Sequence, residues 1–169
     1  MNASRLMICL LFTACCVSGC STEDPALSAA RTRFLVQAPP ESEQPIPEVH
    51  KGLSDSTLQP GALVTVRARI NAGDFPPFAD GLAAFVVTDA TNQDGDETHN
   101  PHECPFCKRD IEVQMARVQF TDDSGQTLKL DARQLFNLKE FDLLVVQGTA
   151  KFDEDKSLII TARQLFVKR

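Results

Sequence analysis

Between residues 64 and 70, Val64, Val66, Ala68 and Ile70 alternate with Thr65, Arg67 and Arg69, the period of a strand with one buried face. Leu82 to Val87 is a short unbroken apolar run rich in β-formers, which predicts a more deeply covered strand. Ala116, Val118 and Phe120 alternate with Arg117 and Gln119; Asp122-Asp123-Ser124-Gly125 then predicts a hairpin turn into a further strand at 127–130. Two last strands are expected at 143–152 and 158–167, joined by the charged turn Asp153 to Lys156. Ala132 to Leu138 is the best short helix. The pattern predicts an all-β domain with one short helix before the penultimate strand, built as a small closed antiparallel barrel. A small β-sandwich has the same periodicity. The pentapeptide Ala-Arg-Gln-Leu-Phe occurs at 132–136 and again at 162–166, but two copies do not make a repeat architecture.

Ahead of residue 61 the rhythm stops. Six of the ten prolines fall between 21 and 60, among Ser, Glu and Gln. Proline removes a donor and fixes φ, so 20–60 is expected to be a disordered tether with a reach of ~35 Å. The folded domain is then expected at 61–169, with an insert at 89–110. Residues 1–19 read as a secretory signal: Arg5 supplies the positive start, Leu6 to Val17 the apolar stretch, and Val17-Ser18-Gly19 the small-residue exit. The apolar stretch is too short to span a bilayer as a helix.

Val17-Ser18-Gly19-Cys20 closely resembles the bacterial lipobox, in which cleavage frees the cysteine for acylation. The resemblance implies that Cys20 is the lipid-modified N-terminus and that membrane lipid is the chain's anchor. Ser21, a non-acidic residue after the cysteine, resembles signals that direct lipoproteins to the outer membrane. A cell-envelope location follows from the same resemblance, held stably because several acyl chains anchor where one does so only marginally. Further along, Phe141-Asp142-Leu143-Leu144-Val145-Val146-Gln147-Gly148-Thr149 looks like the phrase that opens the fourth strand of many OB-fold domains, and Leu158-Ile159-Ile160-Thr161-Ala162 looks like their last strand. That likeness covers about 110 residues and implies an OB-fold-like barrel, without implying a function.

Composition narrows the partners. The chain of 169 residues carries a net charge of −6, and without residues 1–19 there are 16 Lys and Arg against 23 Asp and Glu. An acidic, exported protein with neither Trp nor Tyr is poorly suited to nucleic acid, which needs a basic groove with stacking aromatics. Candidate chemistry is confined to the insert. His99, His102, Cys104 and Cys107 fall within nine positions, spaced H-x-x-H and C-x-x-C. Thiolates and imidazoles are the preferred donors for zinc and copper, so these four are the expected metal ligands. Only Glu103 separates the two halves, so three of the four with Glu103 or water is an equal alternative. An exported pair of cysteines can instead close a Cys104–Cys107 disulfide, structural or redox-active. Cys-Pro-Phe-Cys resembles the glutaredoxin tetrapeptide, yet it follows a polar loop where those proteins have an apolar strand. Lys108 stands where a covalent haem motif needs histidine. No Ser/His/Asp triad, phosphate-binding glycine loop or paired-carboxylate site is recognisable, and no catalytic residue is assigned. The expected function is a tethered, metal-binding, non-catalytic module, with a thiol–disulfide protein as the alternative. The anchor is tested by fractionation: Cys20→Ala should move the protein from the membrane pellet to the soluble fraction.

Overall fold

The alternating runs become strands whose edges pair into a ring. A computed structural model describes residues 24–91 and 100–169, the side chain of Cys107 excepted. In it, β1 (Ala62–Ile70), β2 (Ala84–Asp89), β3 (Met115–Gln119), β4 (Leu143–Phe152) and β5 (Leu158–Lys168) close a barrel in the order β1-β2-β3-β5-β4. Every pairing is antiparallel except β3 with β5, which run parallel where Arg117–Gln119 face Ile159–Thr161. Val64, Val66, Ala68 and Ile70 all point into the core, as their alternation predicts.

One end of the core is aromatic. Phe120 lies between Phe136 (4.6 Å between ring centroids) and Phe34 (5.1 Å, edge-on), with Phe85 at 6.1 Å. Phe136 comes from α3 (Ala132–Phe136), the short helix expected before β4. Asp131 caps α3 by accepting from the Arg133 amide at 2.9 Å, and Asn137 ends it in the left-handed region at φ 53°. The Arg133 guanidinium bonds both Asp131 and Asp80, the latter at 2.7 Å, and so ties α3 to the loop between β1 and β2. The second copy of Ala-Arg-Gln-Leu-Phe lies in β5. The same five residues are helix behind an aspartate cap and strand in the β5 edge pairing, so tertiary context overrides propensity here.

The expected tether is corrected. Residues 24–60 hold two helices, α1 (Pro25–Phe34) and α2 (Ile46–Ser54), and both pack on the barrel. Three of the six prolines sit where helices tolerate them, and Pro39, Pro40 and Pro60 lie outside both helices. Pro25 is the first residue of α1, after Asp24, whose carboxylate accepts from Ala26 N at 2.9 Å; Pro45 and Pro47 flank the start of α2. At those positions proline removes no intrahelical bond. Ile46, Val49 and Leu53 recur at helical spacing and join the barrel core, as do Ala30 and Phe34 of α1. Asp89 at the end of β2 accepts from Ile46 N at 2.8 Å, and Arg67 pairs with Glu43 at 2.7 Å. Residues 24–60 are therefore part of the folded body.

The strand expected at 127–130 also differs. Asp122 does form the turn, accepting from Ser124 N, Ser124 Oγ and Gln126 N, but the returning arm makes a single bridge, Thr121 to Thr127. Leu128 is shared: its N–H donates to the Phe120 carbonyl, and its own carbonyl accepts from Ala83 N just ahead of β2, both at 2.9 Å. Of the two phenylalanines in the loop after β1, Phe78 packs on Phe85, whereas Phe75 is 76% exposed. No helix among the described residues is long and apolar enough to cross a membrane.

Bonding to Arg133 holds the Asp131 carboxyl down at about 2, against an ordinary 3.8. A carboxyl lowered on folding stabilises above its unfolded pKa, and that contribution disappears as pH falls from about 4 through about 2. Asp131→Asn keeps a capping oxygen and removes the charge. It should flatten the pH dependence of the urea midpoint across that window and leave it little changed in shape near pH 7.

Candidate functional site

The insert leaves β2 after Asp89 and rejoins the barrel through a 3₁₀ helix (Cys107–Gln114) that runs into β3. Its described part is fixed to the barrel by a buried polar cluster. Asn71, at the end of β1 and only 2% exposed, donates from Nδ2 to Asn100 Oδ1 at 3.0 Å, while its own Oδ1 accepts from Gly73 N at 2.9 Å. Asn100 in turn organises the chain after it. Its Oδ1 accepts from His102 N at 3.1 Å, its carbonyl accepts from Glu103 N and Cys104 N, and its Nδ2 donates to Glu103 Oε1. An asparagine folded back on its own following amides is a local turn-former.

His102 is the second pin. Its Nε2 lies 3.3 Å from Thr88 Oγ1, and that hydroxyl donates to the Asn71 carbonyl at 3.0 Å. A hydroxyl has one proton. With that proton on Asn71, the imidazole must donate from Nε2 and keep its lone pair on Nδ1. Burial lowers the His102 pKa below 6.5, opposed by the nearby Asp74 carboxylate and aided by Lys108, so the ring is neutral at pH 7. The Nδ1 edge lies against Gly73: a Cβ built there would stand 2.5 Å from Nδ1. Gly73 has φ +65°, so only glycine meets both demands at this position.

Beyond the pins the cysteine segment forms a turn. Cys104 is half-buried and its carbonyl accepts from Lys108 N at 3.0 Å, which wraps the C-x-x-C backbone into one turn leading to the 3₁₀ helix. Phe106, between the cysteines, is 81% exposed. Of the four expected ligands, His102 and Cys104 lie in the described insert, and His102 faces the barrel wall. His99 and the Cys107 side chain lie outside the described residues. Among the described residues no three His, Cys, Asp or Glu side chains converge on one point. The third histidine, His50 of α2, stacks edge-on against Phe152 at 4.8 Å.

Asn71, Gly73 and Thr88 are the site residues that sequence reading passed over. Their one sequence signal is Asn71-Ala72-Gly73 directly after a strand, which is turn chemistry and names no partner. The chain matches no protein-family model, and no curated protein matches it.

The clasp can be measured by a double-mutant cycle. Gly73→Ala should cost about 1–2 kcal/mol from backbone conformation alone, plus the displacement of His102. In a His102→Ala background the steric part disappears and the backbone part stays. The two substitutions should therefore be non-additive by roughly 0.5 kcal/mol or more in urea denaturation.

Proposed function

We propose that this chain is a cell-envelope lipoprotein, anchored through acylated Cys20, whose barrel is an OB-fold that carries a transition-metal-binding loop. The fold reading is supported by the strand order β1-β2-β3-β5-β4, the parallel closure of β3 on β5, and α3 in the connection from β3 to β4. The anchor reading is supported by the lipobox-like run ending at Cys20.

One observation carries the metal reading: the described part of the insert, 100–110, is pre-organised. Asn71 and Thr88 hold Asn100 and His102, and the Cys104 carbonyl closes a turn over the C-x-x-C segment. A loop fixed before its ligand arrives binds with less loss of chain entropy. In this proposal Cys104 and Cys107 supply two thiolates to one zinc or copper(I) ion, and His99 supplies the imidazole. His102 serves as a pin, since Thr88 and Gly73 occupy its two ring edges. Glu103 or water completes the coordination, and the ion is bound without catalysis.

The same turn suits a Cys104–Cys107 disulfide, and export favours it. Elemental analysis with a free-thiol count, on unacylated Cys20→Ala protein, separates the two. The expected result is about one equivalent of zinc or copper, lost in Cys104→Ser, weakened in His99→Ala and retained in His102→Gln. Metal binding should also weaken with acid, because the ligands must be deprotonated. Protein with neither metal nor titratable thiols would replace the metal reading with the disulfide.

A further inference from the structure

We propose that the outer face of β4 and β5, beside the end of α1, is an anion site that takes a phosphate-like group. A cavity of about 380 Å³ opens there, lined by Arg33, Thr121, Thr149, Thr161 and Arg163 together with Phe34 and Ala162. Two guanidiniums and three hydroxyls around one small cavity are the chemistry that binds a tetrahedral oxyanion, which has many acceptor positions and no donors to satisfy. The chain as a whole carries a net charge of −6, so this positive cluster is a local feature.

Arg163 owes its place to an irregularity in the sheet. Gln147 faces Gln164 and Gly148 faces Ala162, which leaves Arg163 as the extra residue of a bulge on β5. Bulges re-aim a side chain and recur beside binding sites. Gly148 makes the close passage possible, since a Cβ there would collide with the Thr161 carbonyl. Among the described residues Arg163 has no carboxylate partner, unlike Arg67, Arg117 and Arg133. Thr161 Oγ1 already accepts from Gln119 Nε2 at 3.2 Å, so its proton is left for another acceptor. Arg33 lies over the Phe34 ring at 4.9 Å and meets Asp123 at 3.0 Å. That carboxylate is 94% exposed, so the pair is weak and an incoming anion with two charges can displace it.

This site depends on neither the lipid nor the metal. Its ligand is a phosphate or phosphoester, free or on a lipid headgroup. Calorimetric titration of full-length Cys20→Ala protein with inorganic phosphate, at ionic strength held constant with chloride, is the first arm. Sedimentation with phosphatidylglycerol vesicles is the second. We expect saturable binding that Arg163→Gln weakens about tenfold or more without lowering the unfolding midpoint. Arg117→Gln, which removes a guanidinium already bonded to Asp153, should leave it unchanged. Asp123→Asn should strengthen it about two- to fivefold by removing the competing carboxylate, a gain that misfolding cannot imitate. Binding of inorganic phosphate assigns the free ligand, and binding to vesicles alone, lost in Arg163→Gln, assigns the headgroup. Absence of binding in both arms, or binding indifferent to Arg163→Gln, overturns the proposal.

Discussion

The barrel depends on how closely β4 and β5 can pass at Gly148. β5 has two neighbours over the same stretch: Leu158 to Ala162 pairs with β4 on one edge, while Ile159 to Thr161 pairs with β3 on the other. To serve both, the long strand must bend just beyond that stretch, and it does so by taking in Arg163 as an unpaired residue. The bend brings the Thr161 carbonyl and the Ala162 Cα against Gly148, where no side chain fits. A larger residue there would push β5 outward and open the short parallel contact with β3. Closure of the ring and the position of the arginine both follow from that approach.

Strand rhythm was legible because half-buried strands leave a period of two in the chain. β4 has the expected bounds, and β5 extends one residue further. The helices before the barrel are hidden behind prolines, which read as breakers unless their place in a helix is known. Pro25, Pro45 and Pro47 lie at helix starts, and the spacing of Ile46, Val49 and Leu53 carried the helical signal beside them. The repeated pentapeptide marks the limit of local reading, because nothing within it separates helix from strand. Asp131 and Asn137 supply the caps at one copy; barrel pairing overrides the same residues at the other.

The insert shows a similar division. Its chemistry-bearing residues were visible as a cluster, since side-chain type and spacing are sequence properties. What holds the insert was invisible, because Asn71, Gly73 and Thr88 act through contacts between segments distant in sequence. His102 illustrates the difference. By type it is a ligand; by position it is a bridge between a loop and a strand, with Thr88 on one ring edge and Gly73 on the other. The described part of the insert, 100–110, is therefore part of the barrel's packing.

The onset of α1 bears on where such a body could stand in an envelope. Asp24 is already a helix cap bonded to Ala26, so only four residue steps separate Cys20 from folded structure. Fully extended, four steps cover at most about 14 Å. On a chain acylated at Cys20, as proposed, the start of α1 would lie within about that distance of the lipid heads. The domain would meet what diffuses along that surface, and anything deeper in the aqueous space would have to come to it.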